Sequence, residues 1–466
     1  MDKVHRSENS LTLLNNRAMK RSVTMLCAIS FCTCHASAND GPRRLLSEEV
    51  NAWWTGDSAI PQTGAENWPS ARLGPMPEHS ALPPSSQRLR QQLAAEGLTF
   101  AGNFTAYFFG NPSGGRNQGF AYNSMLFMQL QLDLEKIAGW RGAEFVWSFA
   151  DNNGSNLSET VGNNFQIIAE YGPNTFVFSD FYLKQRFFDD ALQIKVGQLS
   201  ALNNFAAHEL YSYYANLALN GNALPLVFDS GVTTLPRSSW GAHVLFTQPQ
   251  WYVQSGVYQL SDRIGVNSYH GLNYMIEPGD GAIVFGETGW TPVFGRTDAQ
   301  PGLPGHYKVG GYFSGWNYEN YRGGANTSNL YAFYLLFDQM VYREPHRTGD
   351  GVYLWTAFTF TPQEDMAQIP YFVAGGGQYV GLFPGRDEDR LVFGAGYGSY
   401  SGDLRAQQQS QGQAPEFYEL VFEGSYQIAI NKWLWIQPNV QYIVNPGATG
   451  NLPNAWVLGM IVNVGF

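Results

Sequence analysis

Period two dominates this chain. In the last eleven residues Trp456, Leu458, Met460, Val462, Val464 and Phe466 are apolar and fall on every second position. Val457, Gly459, Ile461, Asn463 and Gly465 lie between them and are mostly small. Alternation is the geometry of a strand, whose successive side chains point to opposite faces. A uniformly apolar face that ends on an aromatic suits a strand with lipid on one side and a lumen on the other. The pattern recurs. Leu126, Met128, Leu130 and Leu132 interleave with Phe127, Gln129, Gln131 and Asp133. Phe145, Trp147 and Phe149 interleave with Glu144, Val146 and Ser148. Leu192, Ile194 and Val196 interleave with Gln193, Lys195 and Gly197. Leu420 and Phe422 alternate with Glu419 and Glu423, and Leu434, Ile436 and Val440 with Trp435, Gln437, Asn439 and Gln441.

Each such segment runs about nine to fourteen residues, the length a tilted strand needs to cross hydrocarbon. Candidate strands lie near 98, 122, 143, 175, 191, 240, 251, 270, 282, 306, 328, 351, 370, 390, 416, 433 and 455. That list is odd in number, whereas a bacterial single-chain barrel is even, so one segment between 240 and 320 is surplus. Asp189-Asp190 and Asn431-Lys432 predict two-residue hairpins. Long Gly/Asn/Ser/Gln-rich loops at 151–164, 200–238 and 401–415 predict the opposite rim. Pro438 lacks a ladder donor and predicts a bulge. Phe187, Phe188, Trp433 and Trp456 fall at strand ends, where aromatic girdles belong. The expected fold is therefore all-β: a transmembrane antiparallel β-barrel with long extracellular loops and short periplasmic turns over residues 98–466.

The N-terminal part reads differently. Arg17, Lys20 and Arg21 precede an apolar run from Val23 to Phe31 and the small-x-small triplet Ala36-Ser37-Ala38. This order predicts a signal peptide over residues 1–38 with cleavage after Ala38. Residues 39–97 carry Pro61, Pro69, Pro75, Pro77, Pro83 and Pro84 without alternation, an extended periplasmic segment. It closes on a possible short helix, capped by Ser86 and ended by Gly97.

Composition narrows the function classes. Charged residues make up 14% and aromatics 15%, and no long apolar run follows residue 40, which excludes a transmembrane helix. All three cysteines, Cys27, Cys32 and Cys34, lie in the predicted signal, so neither disulfides nor thiol chemistry belong to the remainder. Loss of residues 1–38 removes five basic and two acidic residues and takes the net charge from −11 to −14, a poor match to nucleic acid.

Several stretches resemble a known family. Asn111-Pro112-Ser113-Gly114-Gly115, Asn156-Leu157-Ser158, Phe181-Tyr182-Leu183-Lys184-Gln185-Arg186-Phe187-Phe188-Asp189 and Lys195-Val196-Gly197-Gln198-Leu199 are similar to the OprB carbohydrate-selective porins. So are 335–343, Leu382-Phe383-Pro384-Gly385-Arg386-Asp387-Glu388-Asp389 and 436–447. The resemblance implies a sixteen-stranded outer-membrane barrel through which sugars diffuse inward, and it leaves monomer and homotrimer open. Family members carry a Gly-Asp-Trp-Gly-Gly-like stretch just before the first strand. Here Pro83-Pro84-Ser85-Ser86 holds that place, and Trp53-Trp54-Thr55-Gly56-Asp57 lies earlier.

A pore of this kind needs no catalyst and no cofactor. It needs a wet lumen, a constriction and side chains that exchange hydrogen bonds with the solute. Asp180, Tyr182, Lys184 and Arg186 share one strand face, opposite Phe181, Leu183 and Phe187. Cations facing lipid would cost roughly 2–4 kcal/mol each, so this face turns inward and Gln193 and Lys195 continue it. Glu144, Glu419 and Glu423 also fall on inward phases. The candidate solute-binding residues are therefore Lys184, Arg186, Lys195, Glu144 and Tyr182, with Asn203 and Tyr213 from the long 200–238 segment. A loop that long without a task is uncommon, and it is expected to fold inward and narrow the pore. There Tyr rings would lie along a sugar face while amides bind its hydroxyls. The bland alternatives are that Lys184 and Arg186 only balance carboxylates near the periplasmic rim, and that 200–238 is an external loop.

Other signals carry less. Gly394, Gly396 and Gly398 repeat at period two within a strand and do not form a dinucleotide loop, and Gly375-Gly376-Gly377 reads as a kink or close approach. Histidines 79, 208, 243, 270, 306 and 346 show no metal spacing. His208-Glu209 alone hints at catalysis. The expected function is a porin for monosaccharides or polyols. An outer-membrane barrel protease or lipase and a secreted glycan-binding β-protein are the alternatives.

Overall fold

Alternation along each strand and a tight turn after each pair build one closed antiparallel sheet. The computed structural model describes residues 84–466 except 173, 221–222, 233, 235, 298–301 and 346–348. The signal peptide and most of the Pro-rich segment lie outside the described residues. The strands are β1 (Leu98–Ser113), β2 (Gly119–Asp133), β3 (Ala143–Gly154), β4 (Thr175–Phe187), β5 (Leu192–Leu199), β6 (Ser239–Gln248), β7 (Trp251–Leu260), β8 (Gly281–Trp290) and β9 (Val293–Phe294). They continue with β10 (Leu303–Ser314), β11 (Leu330–Arg343), β12 (Gly351–Phe360), β13 (Tyr371–Val380), β14 (Arg390–Ser399), β15 (Tyr418–Asn431), β16 (Leu434–Val444) and β17 (Ala455–Gly465).

Apart from β8 and β9, neighbours in sequence pair, and β1 pairs with both β2 and β17, so the sheet closes on itself. Closure is what a membrane demands of a sheet, because hydrocarbon offers no partner to an unpaired strand. Both β8 and β9 pair with β10, with Thr291-Pro292 between them. They are two parts of one wall strand, and the barrel therefore has sixteen. The surplus segment is the one near 270. Residues 261–280 form a loop with a 3-10 turn at Asn267–Tyr269, and His270 is left-handed (φ 51°).

Four local expectations need correction. The β4–β5 connection is four residues, Phe188–Ala191, because Phe188, Asp189 and Asp190 all adopt positive φ. The β15–β16 connection is Lys432-Trp433, with Asn431 Oδ1 accepting the Trp433 and Leu434 N–H groups (3.0 Å each). Pro438 leaves the β16–β17 register unbroken, and the irregularity on the β15 side falls between Ala429 and Asn431. A missing donor interrupts one bond without forcing an extra residue into the strand. The short helix runs from Pro84 to Ala95 and stops at left-handed Gly97, so Ser86 sits inside its first turn.

The short connections and Phe466 share one rim, and the loops at 155–174, 200–238, 315–329 and 400–417 share the other. Outward positions are apolar and exposed: Phe181, Val196, Val244, Val257, Val284, Phe422 and Leu458. Inward neighbours of the same strands are buried: Tyr182, Lys195, His243, Glu287, Glu423 and Val457. Trp251 and Trp290, paired at the short-turn rim, and Trp456 at the loop rim form the aromatic girdles.

Candidate functional site: the lumen and its inward segment

Inward-facing carboxylates organise the lumen by accepting backbone N–H groups from three loops. Glu423 on β15 accepts from Ala215 N (2.6 Å) and Asn216 N (2.9 Å), and from Asn439 Nδ2 (2.6 Å). Glu419, four residues before, accepts from Asn164 N (2.9 Å), Phe165 N (2.7 Å) and Gly447 N (2.8 Å). Glu287 on β8 accepts from Ala206 N (2.8 Å), Gln254 Nε2 (2.7 Å) and the Tyr252 and Tyr334 hydroxyls (2.6 and 2.8 Å). Asp180 on β4 accepts from Ser200 N (3.0 Å) and Asn203 Nδ2 (3.3 Å). A carboxylate that receives several N–H donors is stabilised where burial alone would disfavour it. These bonds place 200–238 and 163–170 inside the barrel and against its wall. The inward course of 200–238 is thus as expected. Glu419 and Glu423 are occupied as anchors for those loops.

Amides extend the same contacts. Gln437 Nε2 donates to Tyr213 O (2.8 Å), Gln441 Nε2 to Ile167 O (3.0 Å) and Gln378 Nε2 to Leu210 O (3.0 Å). The period-two glycines of β14 supply the space. A Cβ at Gly394 would meet Tyr214 Cε1 at 2.9 Å, at Gly396 Ala218 Cβ at 2.9 Å, and at Gly398 Phe165 Cζ at 2.7 Å. On β13 a Cβ at Gly376 would meet the Tyr214 hydroxyl at 2.4 Å. That hydroxyl donates to Phe393 O (2.8 Å) and accepts from Trp355 Nε1 (2.9 Å). Asp229, at the far end of the segment, accepts from Gln368 N (2.7 Å) and Ile369 N (3.3 Å). Burial pushes its carboxyl up to about 7, against the lowering effect of those donors.

The predicted solute-binding residues fall into two groups. Lys184, Arg186, Lys195, Glu144, Tyr182 and Asn203 gather where β3, β4 and β5 adjoin. Glu144 holds the Lys184 ammonium (2.6 Å) and the Arg186 guanidinium together, and Arg186 Nε also reaches Asp190 (3.4 Å). Lys184 and Lys195 are register partners, and Lys195 donates to Asn204 Oδ1 (3.0 Å) with its ammonium 5.6 Å from the centre of the Tyr182 ring. The three cations therefore share the inward face, with Glu144 between two of them, near the short-turn rim. Arg186 and Glu144 keep partly exposed side chains (36% and 16%), while Lys184, Lys195 and Tyr182 are buried. Tyr213 lies elsewhere, on the inward segment, under the guanidinium of the wall residue Arg390 (4.5 Å from the ring centre).

Sequence reasoning missed Glu287, Arg390 and one cluster. His208, His306 and Asp338 converge from the inward segment, β10 and β11. Spacing concealed this group, since its members are far apart in the chain. Its composition would suit a metal, but its bonding does not. His208 Nδ1 accepts the Leu210 N–H (3.0 Å), so its proton sits on Nε2, which faces Asp338. His306 Nδ1 lies 2.9 Å from the other Asp338 oxygen, and Lys308, whose ammonium donates to Ala207 O (2.6 Å), adds a cation nearby. The group works as a clamp between segment and wall.

The family model of the carbohydrate-selective porin, OprB family, matches residues 117–466. The chain belongs to this family. It is similar to Porin B of Pseudomonas aeruginosa, 24% identical over 413 residues that cover 81% of this chain and 89% of that protein. It is also similar to the putative porin QuiX of Acinetobacter baylyi, 24% identical over 415 residues, with 81% and 91% coverage. A structure of Pseudomonas putida OprB at high pH matches the fold with a TM-score of 0.75, at 23% identity and covering 81% of this chain and 96% of that one. The protein is an outer-membrane porin of the carbohydrate-selective family.

Proposed function

We propose that this porin passes neutral carbohydrates, monosaccharides or polyols, by passive diffusion through the space that the inward segment leaves in the lumen. One observation carries the reading: the inward cations already hold polar partners. Lys184 and Arg186 share Glu144, Lys195 is held by Asn204 and Lys308 by a backbone carbonyl. Cations whose donors are engaged in this way are poorly placed to hold an anionic solute, and the amides and hydroxyls of the lumen suit a solute made of hydroxyl groups. Arg186, Glu144 and Asn203 are the accessible members of the predicted set and would touch the solute first. Lys184, Lys195 and Tyr182 support them from beneath, and Tyr213 would serve from the inward segment. Nothing in this transport requires a bond to be made or broken.

The test compares solutes of one size in liposomes that carry the purified protein. A neutral hexose should enter faster than the corresponding sugar acid. Faster entry of the acid would refute the neutral-solute reading.

A further inference from the structure

The barrel wall has a notch. Strand β5 ends at Leu199, where the chain turns into the lumen, so Thr175–Asp180 of β4 have no strand neighbour on that side. Outward residues beside the notch are aromatic: Trp147 stacks on Phe178 (5.7 Å) and Phe149 lies against Phe176 (5.3 Å). The outward face turns polar only at Asp151 and Asn153, which are bonded to each other (3.0 Å). The bare β4 edge therefore begins within the apolar band, where unsatisfied backbone is costly.

The loop at 261–280 fills this place. The Phe178 N–H donates to His270 O (2.8 Å), and His270 Nδ1 lies 2.8 Å from Phe176 O. Gly271 lies so close that a Cβ would stand 2.0 Å from Phe178 O. Trp240 Nε1 donates to Tyr274 O (2.8 Å), and the Tyr274 ring packs near Phe181. Arg263 pairs with Glu277 (2.7 Å) and Asp280 (2.9 Å), which ties the two ends of the loop together. On the other side of this seal, Tyr269, Leu272, Tyr274, Met275 and Ile276 are exposed, the last two at 62% and 70%. They continue the outward surface of Phe181, Val196 and Val244.

We propose that residues 267–276 form a lateral seal seated in the outer leaflet, standing in for the missing strand and presenting Met275 and Ile276 to acyl chains. Two facts favour lipid as the occupant. The patch is continuous with the lipid-facing wall. Arg263, Glu277 and Asp280 at its base are already paired with one another, so they offer nothing to a polar partner.

Residues 39–466 contain no cysteine, so single labels are practical. Met275→Cys and Ile276→Cys would each carry an environment-sensitive fluorophore in vesicles of phosphatidylcholine, with Ser410→Cys on the 400–417 loop as the aqueous control. Heat-modifiable migration would verify folding of each variant. Labels at 275 and 276 should emit at shorter wavelength than the control and lose most of their emission when the vesicles contain nitroxide-bearing acyl chains. Water-like emission without nitroxide quenching would overturn the proposal. So would protection from the nitroxide together with an interchain disulfide between unlabelled Ile276→Cys copies, which would make the occupant a second copy of the chain.

Discussion

The Tyr214 ring occupies the position that a side chain at Gly394 would need, with Cε1 2.9 Å from the Cβ site. The contact joins the inward segment to a wall strand whose glycines repeat at period two. Replacing Gly394 by Val should push Tyr214 off the wall and cost about 1–3 kcal/mol, the usual range for overpacking. The fold should persist, since Gly394 stays in register with Glu423 and Gly376. Urea unfolding of the refolded barrel would read the loss, and an unchanged midpoint would show that the segment does not rest there.

Glu423 anchors the centre of that segment. Glu423→Ala would strand the Ala215 and Asn216 N–H groups, at roughly 1–3 kcal/mol for each unsatisfied donor. Proteolysis from outside should then cut within 200–238 in the variant and spare the parent barrel. Equal resistance would place the anchoring elsewhere.

Asp229 gives the anchoring a pH dependence. Its folded pKa, about 7, stands above the ordinary 3.8. The folded state therefore holds a proton that the unfolded state loses first, and this contribution is full below 3.8 and lost as pH rises through 7. The stability of the parent relative to Asp229→Asn should fall across that window and level off above it. A constant difference from pH 4 to 8 in thermal unfolding would contradict the assignment.

We predict that the rim cluster influences ion preference. Changing Lys184 and Arg186 to Glu adds two carboxylates beside Glu144 and should shift single-channel selectivity towards cations while the barrel still folds. Leu183→Arg, one residue away and on the outward face, should instead impair assembly, because it presents a cation to lipid. Equal tolerance of both changes would mean that the phase of β4 is reversed.

How much of this was legible in the sequence depends on the range of the interaction. Strand phase was legible because Phe181, Leu183 and Phe187 alternate with Tyr182, Lys184 and Arg186, and lipid penalises any other assignment. The parity of bacterial barrels revealed a surplus strand between 240 and 320, and the structure identifies it: the segment near 270 is a loop that lies on the wall without forming part of it. Tyr269, Leu272 and Tyr274 mimic a strand because they too meet an apolar surface. The inward course of 200–238 was inferred from its length. Its anchors were hidden, because Glu423 and Glu287 lie far along the chain from the backbone groups they hold. Glu287 had one visible sign, a lone acid within the otherwise uncharged Gly281–Trp290 strand. The meeting of His208, His306 and Asp338 left none, because it depends on the path the segment takes across the lumen.

The central claim is a sugar pathway narrowed by the anchored inward segment. Liposome swelling against a series of neutral sugars of increasing size tests it most directly. Monosaccharides should enter readily and tetrasaccharides scarcely at all, and Glu423→Ala, with its anchor removed, should admit the larger sugars. No swelling beyond that of protein-free liposomes, or entry that ignores sugar size in both proteins, would contradict the account.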